Sequence, residues 1–238
     1  MKRLSVLLAT LLIAVLVVGC QTGNYGGQES TSTKKMSGQP EEIKDTIEEP
    51  PANEEKVISE KSMEGREVSG KMKALMIIAK TNFRDEEYSE PRKVLEANGI
   101  EVVVASSSLA AARGMLGMTI KPDILIDDVM VSNYDAIIFV GGSGADEYYT
   151  NQKALSIAKE SVDSGKVLAA ICIAPVTLAN AGVLNGKRAT VFSSKIANIK
   201  AKGAIYVSED VVQDGNMITA CGPKAANAFG EAIVGAMK

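Results

Sequence analysis

Val167-Leu168-Ala169-Ala170-Ile171-Cys172-Ile173-Ala174-Pro175 is the stretch that decides how this chain folds. Five apolar residues end at a single cysteine, and a helix signal follows at once. A short apolar run before a turn reads as a strand buried on both faces, as in parallel sheets. Pro175 suits the first turn of a helix, where its missing N–H costs nothing. Cys172 is therefore expected at the C-terminal end of a central strand and at a helix N-terminus. Ligands bind along that edge in open α/β sheets. The helix dipole there favours a thiolate. The competing reading is a small buried hydrophobe, since free cysteine is often buried.

The same kind of run recurs on the N-terminal side of this stretch. Ala74-Leu75-Met76-Ile77-Ile78-Ala79, Glu101–Ala105 and Ala136–Val140 read as the three preceding strands. Lys80–Glu90 is polar and carries Asp85, Glu86 and Glu87. A helix is expected after it, with Pro91 in its early part, Val94 and Leu95 on the buried face, and Asn98-Gly99 as the stop. Gly114–Ile126 reads as a small hairpin with Lys121-Pro122-Asp123 as its turn. Gln152–Ser164 is a helix closed by Gly165. On the C-terminal side, short strands are expected around Thr190, Tyr206–Val207, Val211–Val212 and Met217–Thr219. Gly222-Pro223 then opens a last helix, with Ala226, Phe229, Ile233 and Ala236 at helical spacing. Strand and helix alternate, which predicts an α/β fold: a mostly parallel sheet with helices on both faces.

Composition narrows the chemistry. The chain has 238 residues and a net charge of −3, so nothing points to nucleic acid. It contains no histidine. That excludes a Ser-His or Cys-His pair, a histidine metal ligand and a histidine general base. Cys20, Cys172 and Cys221 lie far apart and form no zinc spacing, so no metal is expected. Gly142-Ser143-Gly144 invites a dinucleotide fingerprint but fails it: Glu147 stands where the third glycine belongs. No cofactor is expected. These glycines read as a tight loop beside Cys172, with backbone N–H groups free to face a ligand.

Residues 1–19 have the form of an export signal: Lys2 and Arg3, an apolar stretch from Leu4 to Val18, and Gly19 before Cys20. Val17-Val18-Gly19-Cys20 resembles the lipobox of prokaryotic lipoproteins. That implies cleavage before Cys20 and lipid on its thiol; the alternative is an uncleaved signal anchor. Either way the remainder is expected outside the cytoplasm, held at the membrane. Residues 20–71 read as a lipidated cysteine and a disordered tether, rich in Gly, Ser, Thr, Glu and Lys and without a sustained apolar period. A flexible chain of that length has a typical end-to-end distance of roughly 40 Å. A folded domain is expected over 72–238.

Four features of that domain carry a resemblance. They are Arg84-Asp85-Glu86-Glu87 ahead of Pro91, the Gly141-Gly142 loop, Ala169-Ala170-Ile171-Cys172 with Pro175, and Gly222-Pro223 before the last helix. Together, and in this order, they resemble the PfpI superfamily, which includes the PfpI intracellular proteases and the Parkinsonism-associated deglycase of the DJ type. The resemblance implies a flavodoxin-like three-layer sandwich with a class I glutamine-amidotransferase-like core. It places the reactive cysteine on Cys172, its acidic partner on Glu87, and the oxyanion donors on the backbone of Gly142 and Ile173. It also implies a homodimer. For Glu87 the competing reading is a solvated residue in an acidic run.

The sequence departs from the family where the family uses histidine. Ile173 follows the cysteine where the proteases have His, and Phe192 stands where the deglycase type has His. Cys221 replaces an arginine common before the final Gly-Pro. A peptidase, which needs a base on the thiol and an acid on the leaving amine, is poorly supplied. Three readings of function remain open. One is glyoxalase- or deglycase-type chemistry, with Cys172 adding to a small reactive carbonyl compound or a carbonyl-modified protein and Glu87 moving the proton. Another is a thiol redox or stress-response module. The third is a binding domain without catalysis. Cys221 is either a resolving thiol for Cys172 or a small filler; the filler is expected because the two residues end different strands.

Overall fold

The structure is a computed structural model, and it describes residues 70–238. The expected signal peptide at 1–19, Cys20 and the expected tether up to residue 69 lie outside the described residues. The strands begin with β1 (Lys73–Ile77), β2 (Thr81–Phe83), β3 (Glu101–Ser106) and β4 (Ala112–Gly114). Next come β5 (Thr119–Ile120), β6 (Ile124–Leu125), β7 (Ala136–Phe139) and β8 (Val167–Ile171). The last four are β9 (Arg188–Ala189), β10 (Ile205–Tyr206), β11 (Val211–Asp214) and β12 (Met217–Ala220). The helices are α1 (Asp85–Ala97), α2 (Gln152–Asp163), α3 (Pro175–Asn180), α4 (Ile196–Lys200) and α5 (Ala226–Met237).

Seven strands form one sheet in the order β11-β12-β8-β7-β1-β3-β6. All neighbours pair in parallel except β11 with β12. The run β3-β1-β7-β8-β12 has the flavodoxin-like order, whose switch point lies between β1 and β7. Every residue of β8 is buried, as expected of a strand covered on both faces. Side chains alternate between the two faces of β1. Leu75 and Ile77 join a core with Ile157, Leu178 and Ile199 from α2, α3 and α4. Ala74 and Met76 join another with Leu95, Phe229 and Ile233 from α1 and α5. The fold is thus a flavodoxin-like three-layer sandwich. Each large side chain buried in these layers contributes roughly 1.5–3 kcal/mol. Phe229→Ala, at a fully buried position, would cost about 3–5 kcal/mol.

Two local expectations need correction. Helix α1 starts at Asp85, inside the polar segment that it was expected to follow, and Pro91 is its seventh residue rather than an early one. Three carboxylates in the first turn suit the positive end of the helix dipole. Pro91 lacks the N–H that would bond the carbonyl of Glu87. The hairpin turn also lies elsewhere. β4 and β5 pair antiparallel around Met115–Met118, where Gly117 takes φ +99° and donates to the Gly114 carbonyl at 3.2 Å. Lys121-Pro122-Asp123 instead leads into β6, and Asp123 clamps β3: its carboxylate accepts from Val104 N–H, and its own N–H donates to Val104 O, both at 2.8 Å.

Candidate active site

Cys172 follows β8 directly and adopts φ +63°, a left-handed conformation rare outside glycine. Such a backbone costs about 1–2 kcal/mol and persists only when its surroundings impose it. Here they do so at both ends of the residue. Cys172 N–H donates to Ala220 O at 2.9 Å, and Cys172 O accepts from Phe192 N–H at 2.8 Å. The strand therefore breaks sharply at the cysteine and turns its sulfur toward the carboxyl edge of the sheet. This is the same device as a nucleophile elbow.

The loop after β7 brings backbone donors to that sulfur. A Cβ on Gly141 would sit 2.6 Å from Cys172 Cβ and also strike Glu87, so only glycine allows this approach. Gly142 has φ +96° and packs on the backbone of Asn82, Phe83 and Arg84. Arg84 N–H donates to Gly141 O at 3.0 Å. In a trans peptide the N–H points opposite to the C=O, so this bond aims the Gly142 N–H into the site. The N–H groups of Gly142 and Ile173 both act on the Cys172 sulfur and lower its pKa. The two expected oxyanion donors thus meet at the thiol.

The acidic run splits three ways, because successive helix residues point about 100° apart. Glu86 turns outward and pairs with Arg84 Nε and Nη2 at 2.8 and 3.0 Å. Asp85 is buried and accepts from Leu116 N–H and Met118 N–H, each at 2.8 Å, which ties the hairpin to α1. Glu87 is fully buried beside Cys172. Neither of its carboxyl oxygens has a hydrogen-bond partner of normal geometry, although the Cys172 thiol and the Gly141 N–H are near enough to influence it. A buried, unpartnered carboxylate is costly, so the group holds its proton.

Burial pushes both members of the pair upward, Glu87 to about 7 and Cys172 to about 12. Repulsion from the Glu87 carboxylate adds to the Cys172 shift. The two titrate as a unit that carries one negative charge between those values. Two backbone N–H groups act on the sulfur and one on the carboxyl. Those N–H groups offset part of the rise that burial imposes on each group. The expectation that a helix dipole supplies the thiolate is corrected. Helix α3 has only six residues and begins three positions after Cys172. The groups that act to lower the Cys172 thiol against its burial are the Gly142 and Ile173 N–H groups.

Cys172 is 8% exposed and opens into a cavity of about 400 Å³. Its walls include Glu87, Gly142 and Ile173, together with Met115, Phe192 and Lys195. Phe192, where the family histidine was expected, is 42% exposed and offers the cavity an apolar ring. A hollow of about 320 Å³ beside the starts of β8 and β12, lined by Lys166, Lys187 and Met217, holds no nucleophile. Among the described residues, no group of three or more acidic or cysteine side chains is arranged to hold a metal ion.

Cys221 follows the strand that neighbours the one ending just before Cys172. Strands β12 and β8 are neighbours paired Ala220 to Ile171, so the two cysteines leave adjacent strands side by side. Cys221 Sγ donates to Asp210 Oδ1 at 3.3 Å and lines a separate hollow, and both cysteines are free. The filler reading fits this arrangement. Sequence reasoning missed the clamp made by Asp85, the pinning of Gly141 by Arg84 N–H, and the placement of Lys195 in the cavity.

Fold and site together define a flavodoxin-like α/β protein with a cysteine in a strained turn, a buried carboxyl group beside it and two backbone N–H groups at the sulfur. The chain belongs to the DJ-1/PfpI family, which it matches over residues 72–236. It is 44% identical over 180 residues to an uncharacterised protein of Methanocaldococcus jannaschii, covering 74% of this chain and 88% of that one. It is 33% identical over 145 residues to a deglycase of Pyrococcus abyssi, covering 61% of this chain and 87% of that one. Among solved structures it is similar to a ThiJ/PfpI domain protein of Brachyspira murdochii. That comparison has a TM-score of 0.69 and 34% identity, covering 71% of this chain and 98% of the other.

Proposed function

We propose that this protein carries out cysteine-dependent glyoxalase- or deglycase-type chemistry on reactive aldehydes. The observation that carries the reading is the buried Glu87 carboxyl beside Cys172, with the Gly142 and Ile173 N–H groups at the same sulfur. Relatives named as deglycases support it. For an α-oxoaldehyde the steps balance without an outside oxidant. The thiolate adds to the aldehyde carbon, and the alkoxide, held by the two N–H groups, takes the proton of Glu87. The Glu87 carboxylate then removes the hydrogen on that carbon and returns it to the neighbouring carbon. The hydroxyl proton passes to the neighbouring oxygen, which leaves a 2-hydroxy thioester. Water cleaves the thioester, releases a 2-hydroxy acid and restores the thiolate–acid pair. Internal redox alone converts the aldehyde to the acid.

The chain has no histidine, and this route needs none. A peptidase would need an acid for the leaving amine as well as a base for the thiol, so that reading has less support. We further propose that the mature protein begins at a lipidated Cys20 and acts outside the cytoplasm as a membrane-tethered lipoprotein. Support comes from the charged start, the short apolar stretch and Val17-Val18-Gly19-Cys20. Intact-mass analysis of membrane extracts tests it, and a chain that starts at Met1 sinks it. A homodimer is part of the same proposal and is checked by mass in solution. For the activity, methylglyoxal is incubated with the protein and lactate is measured. Lactate is expected from the wild type and not from Cys172→Ala. A well-folded wild type that makes none refutes the reading.

A further inference from the structure

An α-oxoaldehyde has two carbonyl oxygens, and the Gly142 and Ile173 N–H groups serve only the one on the carbon that bonds to sulfur. Removal of the hydrogen from that carbon puts negative charge on the second oxygen, where these donors do not reach. Water would screen that charge in the open. The cavity wall carries charged side chains, Arg84, Asp146 and Lys195, beside the half-exposed Met115 and Phe192, and a fixed cation placed at that oxygen would stabilise the charge.

We infer that Lys195 is that cation: its ammonium holds the second oxygen of a 1,2-dicarbonyl substrate, so the site selects dicarbonyls over simple aldehydes. The inference rests on the aldehyde chemistry proposed above. Lys195 lines the Cys172 cavity and is half-buried. Its turn, Ser193–Lys195, hangs from the nucleophile itself. Lys195 N–H donates to Phe192 O, and Phe192 N–H donates to Cys172 O, both at 2.8 Å. Its Nζ stands over the Tyr149 ring, 5.6 Å from the centroid. That ring is fixed in turn. Its hydroxyl donates to Ile173 O at 3.3 Å, and Asn180 Nδ2 donates to Tyr149 O at 2.9 Å. The perch is therefore tied to Ile173, the residue whose N–H faces the sulfur.

Among the described residues Lys195 carries no competing carboxylate: it forms no ion pair within 4.0 Å, even though Asp146 lines the same cavity. Arg84, the other cation in the wall, is held by two bonds to Glu86. Lys195 donates a hydrogen bond and keeps its proton, so the proton balance given above is unchanged.

The test uses the full chain in detergent, with Lys195→Met and Lys195→Arg. Alkylation of Cys172 is timed with iodoacetate, an anion, and with neutral iodoacetamide. Lys195→Met should lower the iodoacetate-to-iodoacetamide rate ratio by about fivefold, the effect of one charge several ångströms away in a half-solvated cavity. Lys195→Arg should restore the ratio. Methylglyoxal turnover should fall about 100-fold in Lys195→Met, as for loss of one oxyanion donor. The iodoacetamide rate should stay within about twofold, because the thiolate–acid pair is untouched. An unchanged ratio in Lys195→Met overturns the inference whatever the turnover does. Unchanged methylglyoxal turnover in Lys195→Met also overturns it. If the ratio falls but the wild type has no turnover, the aldehyde reading fails and the dicarbonyl role fails with it.

Discussion

Replacing Glu87 by glutamine removes the proton that the site is built to hold, and the effect on stability follows from burial. The carboxyl pKa rises from an ordinary 4.5 to about 7, chiefly through desolvation. An acid whose pKa is raised on folding binds more protons in the folded state between those two values. Stability therefore falls as pH rises from 4.5 to about 7. At about 1.4 kcal/mol per pH unit the full loss is about 3 kcal/mol. The sign holds whichever of the two atoms, sulfur or carboxyl oxygen, finally carries the charge, because only one proton leaves the pair in that window. Glutamine has no proton to lose. Urea unfolding of both proteins, at about pH 4 and at about pH 8, measures the difference. Other carboxylates titrate equally in the two proteins and cancel. Relative to wild type, Glu87→Gln should gain about 3 kcal/mol between the two pH values. A difference that stays constant within about 0.5 kcal/mol would show that Glu87 titrates like an ordinary surface carboxylate, and the reasoning fails.

Gly142→Ala forces a side chain into a backbone with φ +96° and against Asn82 and Phe83. It should cost at least about 1–2 kcal/mol and lower kcat about 100-fold by moving an oxyanion donor, read by urea titration and lactate formation. Asp85→Ala removes two charged hydrogen bonds to the hairpin. It should destabilise by about 2–4 kcal/mol and raise KM, because Met115 on that hairpin walls the cavity. Peroxide should oxidise Cys172 without bridging it to Cys221, whose thiol is turned to Asp210. A Cys172–Cys221 disulfide in non-reducing peptide maps would contradict that.

The layers of this fold are legible because buried strands write themselves as short apolar runs. Ala136–Val140 and Val167–Ile171 show this directly, and their helices follow at the expected intervals. The elbow is legible as a cysteine between an apolar run and Pro175. Its φ of +63° is not, because it is imposed by Ala220 and Phe192 from distant segments. Asp85, Glu86 and Glu87 look equivalent in one dimension. Only the helix phase sends one to the hairpin, one to Arg84 and one into the core. The hairpin turn was misplaced because Lys-Pro-Asp is turn-like by composition, whereas Gly117 supplies the positive φ the turn uses. Lys195 carries no local signal. Its place depends on the Phe192 bond to Cys172, across 20 residues of chain.

The central claim is that chemistry begins at the Cys172 sulfur, and a trapped adduct tests it most directly. The protein is mixed with methylglyoxal, quenched within one turnover and mapped by peptide mass. The account predicts an added mass of one methylglyoxal on the peptide that contains Cys172, gone in Cys172→Ala and decaying as lactate appears. Lactate formed at the wild-type rate by Cys172→Ala, or an adduct found only on lysines and Cys221, would contradict it.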